Sequence, residues 1–188
     1  MLKMFSTSVY TERLNLNVDK IIKYCLSLKK QQKGLQVSNQ GGWHSNILGE
    51  NIPELNPLFN EVSRAANNYR EIISYKHPLK ISASWVMING YKDYNVEHVH
   101  PNSVLSGAYY LTTDNSNIVF INPSLEAMGY TFSNEDIEKY NEFNSSVYRV
   151  EPSANDLLIF PSWLKHRVSP NLTKKNRICI SFNIKRKL

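Results

Sequence analysis

The chain has 188 residues, of which 41% are hydrophobic and 11% aromatic, and its formal net charge is +6. This length is typical of one domain that buries its own core without disulfides or a structural metal. The basic residues are scattered, and the densest run is residues 185–187. A solvated terminus accounts for that run, so the charge does not indicate a nucleic-acid-binding protein, although it is compatible with an anionic partner.

Cys25 and Cys179 are the two cysteines, and their separation matches neither a zinc site nor a disulfide framework. Each lies in an apolar pattern, so we expect two buried free thiols. The N-terminus lacks a long apolar run, and no stretch reaches the roughly 18 apolar residues of a membrane helix. We therefore expect no secretory signal, no membrane partner and a cytoplasmic protein.

The first third of the chain carries two helical patterns. One covers residues 19–30, with its first aspartate as the cap. The second begins at Asn56 and Pro57, where asparagine is a good cap and proline suits the first turn. Its apolar stripe runs to about residue 75 and needs a flat partner such as a β-sheet. The sequence thus predicts a helical support region over residues 1–78.

Beyond residue 79 the pattern changes to short strands separated by turns. The predicted strands begin near residue 80 and continue at 104–113, 118–122, 146–151, 156–160 and 177–186, and residues 4–10 read as one more. Helices followed by serial strands indicate an antiparallel sandwich or barrel with helices packed outside. Residues 123–145 interrupt the core, 79–188, as an insertion or lid with a short helix near 133–140. We expect residues 1–188 to form one domain.

Three histidines are candidate metal ligands. His98 and His100 point to the same side of an extended chain, because side chains alternate along a strand. His166 follows an apolar strand and a proline turn, where it can face the mouth of a barrel. A lone histidine is more often a satisfied polar residue than a ligand. The three together predict a site for iron, zinc, copper or nickel.

Arg177 and Ser181 are four residues apart on an apolar strand, so they share one face. A buried arginine requires an anion. One interpretation is a salt bridge to a nearby Asp or Glu. The other is a guanidinium that grips the carboxylate of a small cosubstrate, with hydroxyl groups of Ser181 and Tyr110 as further donors.

These segments, HVHPNSVLSGAYYL, IFPSWLKHRVSPN and RICISFN, together resemble the iron(II)- and 2-oxoglutarate-dependent dioxygenases. Among these dioxygenases, the segments look like those of the prolyl-hydroxylase-like members. They are also similar to a group of 2-oxoglutarate/iron oxygenases from marine bacteria and phages, which NQGGWHS fits too. The resemblance covers residues 80–188 well. It implies a mainly β protein, a double-stranded β-helix (a cupin-like jelly roll), with the N-terminal helices packed on one sheet.

The resemblance also implies cofactors and a reaction. Fe(II) would be held by His98, His100 and His166. In such enzymes the second Tyr of YYL, and the Arg and Ser of the last strand, bind the distal carboxylate of 2-oxoglutarate. These positions correspond to Tyr110, Arg177 and Ser181. With O2, the expected activity is hydroxylation of a substrate with release of succinate and CO2, in the cytoplasm of a bacterium or of an infected host cell.

Further side chains are candidates for the substrate pocket at the barrel mouth. They are Asn89, Asn95, Asn102, Asn183 and Trp43. Trp85 and Trp163 are better explained by core packing. Gln40 and His44 belong either to the substrate wall or to a structural Gly-Gly turn.

His100 stands where the wider superfamily has a carboxylate, since the usual triad is two histidines and one acidic residue. Three neutral ligands leave the metal centre one charge unit more positive. Three-histidine iron sites occur in related cupin folds, which keeps iron compatible. Glu97 or Asn102 could enter the ligand shell instead, or His100 could stay outside it. Side-chain alternation favours His100.

Two other functions compete with the oxygenase. A cupin-like metal- or ligand-binding jelly roll without oxygenase activity would keep the histidines, and it would pair Arg177 with a local Asp or Glu. A structural or carbohydrate-binding sandwich of a phage would have incidental histidines and no metal affinity.

Overall fold

The structure is a computed structural model that describes residues 5–49, 51–124 and 134–187. Within these ranges the helices are α1 (Val18–Gln31), α2 (Asn56–Ile72) and a 3-10 turn (Asn134–Asp136). The strands are β1 (Tyr10–Arg13), β2 (Asn39–Gln40), β3 (Trp43–His44), β4 (Leu79–Asn89), β5 (Tyr94–His98), β6 (Leu105–Tyr110), β7 (Ile118–Ile121), β8 (Val147–Val150), β9 (Asp156–Pro161), β10 (His166–Val168) and β11 (Arg177–Arg186).

The strands form two sheets in which neighbours run antiparallel. The first sheet has the order β1-β9-β6-β11-β4-β3, and the second has the order β2-β5-β10-β7-β8. An inner core, built from β4, β6, β9 and β11 on one side and β7 on the other, lies between them. The mainly β jelly roll expected from the sequence is therefore confirmed.

The first sheet is buried on both faces. Along β11, Ile178, Ile180 and Phe182 belong to an outer core that includes the apolar side chains of both helices. Cys179 belongs to the inner core and Ser181 lines its cavity. This double burial explains why the central strands read as almost continuous apolar runs, and it confirms that the helices pack on one sheet.

The helices differ from the sequence prediction at their ends. Asn17, not Asp19, caps α1, because its side-chain oxygen accepts the Asp19 N–H at 3.2 Å. Leu55 holds the N-cap position of α2 without a side-chain hydrogen bond, and Asn56 lies inside the helix. A proline in the first turn presets the helical backbone there, so α2 begins without a capping side chain. Both cysteines are buried free thiols, as expected.

The strand prediction was less accurate for short polar segments. The predicted strand over 4–10 was wrong for residues 5–9, because β1 pairs only along Tyr10–Arg13 with β9. The strands β2, β3, β5 and β10 were not predicted, since each is short or polar and is held by its partners. Within the predicted insertion, 123–145, residues 125–133 lie outside the described residues. The predicted helix near 133–140 is, in its described part, the 3-10 turn.

Candidate metal centre

Strand pairing brings His98 and His166 together. His98 ends β5 and His166 begins β10, and the two residues are register partners in the antiparallel ladder. His100 follows β5, and its backbone N–H donates to the carbonyl of Ser162 at 2.9 Å. That bond fastens the segment after β5 to the turn before β10. The fold therefore gathers all three predicted histidines at one end of the inner core.

The three rings face one another closely. Their centroids are 4.4 Å apart for His98 and His166, 5.0 Å for His98 and His100, and 5.2 Å for His100 and His166. One ring nitrogen from each side chain lies within 4.8 Å of the other two. This arrangement is a set of imidazole donors around a common point, which suits a first-row transition metal.

Backbone carbonyls orient two of the rings. Nδ1 of His98 lies 2.7 Å from the carbonyl oxygen of Val96, and Nδ1 of His166 lies 2.8 Å from that of Leu164. A carbonyl oxygen only accepts, so each Nδ1 carries the proton and each Nε2 keeps its lone pair. Metal-binding histidines are commonly oriented in this way.

Burial keeps the rings neutral. Desolvation, reinforced by the neighbouring His98, lowers the pKa of His100 to about 4. Desolvation, followed by the effect of His98, lowers the pKa of His166 to about 3. The pKa of His98 is also lowered by burial. Near pH 7 the cluster therefore consists of three neutral imidazoles, each with one nitrogen lone pair.

Trp85 and His44 form an aromatic pair that packs against His100. The indole of Trp85 lies against His100 with ring centroids 5.9 Å apart, and its other neighbour, His44, stacks on it at 5.5 Å. His44 is buried and its Nδ1 lies 2.6 Å from the carbonyl of Ser45. Trp85 thus packs in the core, as predicted. Core packing was also predicted for Trp163, but this side chain is 58% exposed and the prediction was wrong. A turn between β9 and β10 carries Trp163 outwards.

A cavity extends from the histidines into the inner core. The predicted residues on its wall are the three histidines, Asn89, Asn95, Tyr110, Arg177 and Ser181. Tyr110, Arg177 and Ser181 reach it because β6 and β11 present alternate side chains to the inner face. Asn89 donates to Asn95 at 3.4 Å, and Asn95 donates to Ser38 at 3.1 Å, which gives the cavity one polar side.

Three predicted pocket residues lie elsewhere. Trp43 packs in the outer core, because it pairs with Ile88 on the face of β4 that meets the helices. Asn102 is exposed and has a positive φ of 62° in the turn after the histidines. Asn183 accepts a hydrogen bond from Ser106 at 2.8 Å and does not line the cavity.

Arg177 is 3% exposed and is held on one side by Asp114, an acidic partner of the kind that one interpretation of the sequence predicted without identifying it. Its Nη1 lies 3.0 Å from Oδ2 of Asp114 and also contacts the hydroxyl oxygen of Ser116. Asp114 accepts from both the backbone N–H and the hydroxyl of Ser116 at 3.2 and 2.7 Å. The sequence carried a signal, since a buried arginine demands an anion, but the local pattern does not identify which acidic residue supplies it.

The other guanidinium nitrogen of Arg177, Nη2, is buried and has no hydrogen-bond partner. An unsatisfied buried donor is costly, by roughly 1–3 kcal/mol. Arg177 lines the cavity, so an anionic or carbonyl oxygen that enters the cavity can meet its guanidinium group.

A structural comparison found several solved enzymes with a similar fold. Prolyl-4-hydroxylase from Pseudomonas putida is 10% identical, with a TM-score of 0.67 over 97% of this chain and 95% of that one. SnoK, a non-heme alpha ketoglutarate dependent carbocyclase of nogalamycin biosynthesis, is 13% identical, with a TM-score of 0.69 over 95% and 79%. HygX from Streptomyces hygroscopicus, solved with nickel, 2-oxoglutarate and hygromycin B, is 11% identical, with a TM-score of 0.62 over 97% and 84%. The fold is that of the non-haem 2-oxoglutarate oxygenases.

Sequence comparison identifies the family. Residues 83–183, more than half of the chain, match the model of the family described as "Putative 2OG-Fe(II) oxygenase". The chain belongs to this family, whose members are oxidoreductases that use iron and 2-oxoglutarate. A search of curated protein sequences found no match. Among the described residues, the helices are too short or too polar to cross a membrane.

Proposed function

We propose that the protein is a non-haem Fe(II)- and 2-oxoglutarate-dependent dioxygenase that hydroxylates its substrate with release of succinate and CO2. The observation that carries this proposal is the cavity itself. It has three neutral imidazoles at one end, and a buried guanidinium with an unpaired nitrogen also lines it. Those are the two recognition elements that a 2-oxo acid with a distal carboxylate needs.

The donor set fits iron. His98, His100 and His166 would hold the metal through Nε2 where Nδ1 is engaged by a carbonyl. Glu97 is a poor alternative to His100, because its carboxylate lies near Lys165 and Arg167 at 3.5 and 3.7 Å. Asn102 is exposed in the following turn. His100 is therefore the third ligand in this proposal.

The inner wall of the cavity fits the cosubstrate. Arg177 would donate from Nη2 to the distal carboxylate of 2-oxoglutarate, with the hydroxyl groups of Tyr110 and Ser181 as further donors. Burial raises the pKa of Tyr110, so its hydroxyl keeps the proton that such a bond requires. Bound iron and 2-oxoglutarate supply the oxidation of an unactivated C–H bond, while these residues orient the cosubstrate and exclude water.

The proposal is tested by anaerobic addition of Fe(II) and 2-oxoglutarate to the metal-free protein. We expect a weak visible charge-transfer band, followed by succinate formation when oxygen is admitted. His166→Ala should abolish both signals. His77→Ala is the matched control, since His77 lies apart from the cluster against Tyr75 and should leave both signals intact. Absence of both signals in the unmodified protein would overturn the proposal.

A cupin-like binding protein without oxygenase activity is the second candidate. The Asp114–Arg177 ion pair favours it, because a paired arginine is what that function predicts. It would bind metal and form no succinate under any condition. The unpaired Nη2 and the family match support the oxygenase instead. The phage structural alternative predicted incidental histidines, and their convergence within 4.8 Å argues against it.

A single domain over residues 1–188, a lid within 123–145 and a cytoplasmic location also stay predictions. The small-molecule cosubstrate is the partner for which the cavity offers contacts.

A further inference from the structure

The charge at each end of the cavity differs from that of the usual 2-oxoglutarate oxygenase site. The metal end is more positive and the arginine end is less positive. At the metal end, His100 replaces the carboxylate of the usual triad, so an Fe(II) centre there would be one unit more positive. At the other end, Arg177 is joined to Asp114, so the usual cation becomes a neutral pair. Both members are deeply buried, with side-chain exposures of 4% and 1%.

We propose that the negative charge of Asp114 compensates for the carboxylate that His100 replaces. The cavity then keeps the total charge that a dianionic 2-oxo acid requires, but its positive charge lies at the metal end rather than at the arginine end. This inference rests on the proposed function. It makes Asp114 a specificity-determining residue, because it weakens the attraction for the distal carboxylate while the metal end attracts the 2-oxo acid more strongly.

The other titratable groups on the cavity wall do not alter the total charge of the cavity. Burial raises the pKa of Tyr110 and of Cys179, so both stay neutral. Glu97 is half-exposed and lies near Lys165 and Arg167 rather than on the cavity wall. Charges in a cavity shielded from water interact far more strongly than on a surface, so one unit at either end has a large effect on ligand affinity.

The ion pair also limits how Arg177 can bind. Nη1 is occupied by Asp114, Ser116 and, at 3.4 Å, the carbonyl of Ser169. Nη2 has no partner, so a carboxylate cannot form a two-pronged contact that uses both Nη1 and Nη2. Asp114 therefore fixes the orientation of Arg177 as well as its net charge.

The first test is Asp114→Asn, with ligand affinities measured by calorimetry in the presence of Ni(II), which binds without starting the reaction. Removing the compensating charge should tighten 2-oxoglutarate by about tenfold. It should leave 2-oxopentanoate, which lacks the distal carboxylate, within about twofold of its original affinity. Asp156→Asn is the control, because it changes the net charge by the same amount in an exposed ion pair with Arg13. It should change the affinity for neither 2-oxo acid.

The second test uses His100→Asp, which restores the usual triad and remains informative if Asp114→Asn does not fold. With Asp114 present, the added negative charge should weaken 2-oxoglutarate by about tenfold. The double variant should recover the original affinity. Unchanged or tighter binding by His100→Asp would overturn the inference. Loss of nickel binding would count against it equally, because the inference treats imidazole and carboxylate as exchangeable ligands.

The outcomes separate this inference from the proposed function. If the unmodified protein with Ni(II) does not bind 2-oxoglutarate, the proposed function fails. If it binds, and Asp114→Asn weakens both 2-oxo acids alike, the function stands and Asp114 has only a structural role.

Discussion

His98 and His166 are opposed residues on neighbouring antiparallel strands, with ring centroids 4.4 Å apart. The ladder between β5 and β10 therefore brings these two candidate metal ligands together directly, and no flexible loop has to close to do so. This relationship makes the site sensitive to changes in either ring but tolerant of changes in distant loops.

Metal should stabilise the folded protein through this pair. At a free concentration one hundred times the dissociation constant, Ni(II) should add about 2.7 kcal/mol to the free energy of unfolding. His98→Ala and His166→Ala should each reduce that gain, whereas His77→Ala should retain it, since His77 contacts Tyr75 away from the cluster. Thermal unfolding with and without Ni(II) measures the effect. Equal gains in all four proteins would show that the metal binds elsewhere.

The metal-free protein should lose stability as the pH falls below about 6.5. Burial lowers the pKa of His100 to about 4 and of His166 to about 3, so these rings stay neutral in the folded state while they gain protons in the unfolded state. Below the unfolded pKa the unfolded state binds more protons, and each ring contributes a loss of up to roughly 1.4 kcal/mol per pH unit. Urea unfolding between pH 7 and pH 5 tests this. His166→Ala should show a shallower pH dependence, and an identical slope would contradict the assignment.

Breaking the buried ion pair should be far more damaging than breaking an exposed one. Arg177→Met leaves Asp114 charged and buried, which should cost about 3–5 kcal/mol of unfolding free energy. Arg13→Met breaks the pair with Asp156, in which Arg13 is 64% exposed, and should cost less than about 1 kcal/mol. Chemical denaturation compares them directly. Similar losses would mean that Asp114 is hydrated or otherwise neutralised.

Gly107 should not tolerate a side chain. A Cβ there would overlap the carbonyl oxygen of Leu158 and would lie 2.6 Å from the ring of Phe182, both within the tightly packed first sheet. Gly107→Ala should therefore destabilise the protein by about 1–3 kcal/mol. Gly49→Ala is the matched control, because no atom lies within 4 Å of its Cβ position. A neutral Gly107→Ala would require the sheet to separate locally.

The amino-acid sequence determined much of the fold and most of the residues of the candidate site. Helical spacing defined α2 as a packing element, and alternation placed Arg177 and Ser181 on one face of β11, because both patterns depend only on local backbone geometry. The strands that escaped prediction, such as β5 and β10, are polar or very short. Their conformation is imposed by ladder partners far away in sequence.

Tertiary structure alone decided which distant side chains meet. The sequence contained His166 and Asp114, but strand register put the first opposite His98, and the turn before β7 put the second beside Arg177. It also turned Trp43 towards the helices, although the sequence placed it at the substrate wall. Local patterns specify which face of a strand a residue occupies, whereas strand pairing decides which distant residue lies opposite it. That pairing set the charge at each end of this cavity.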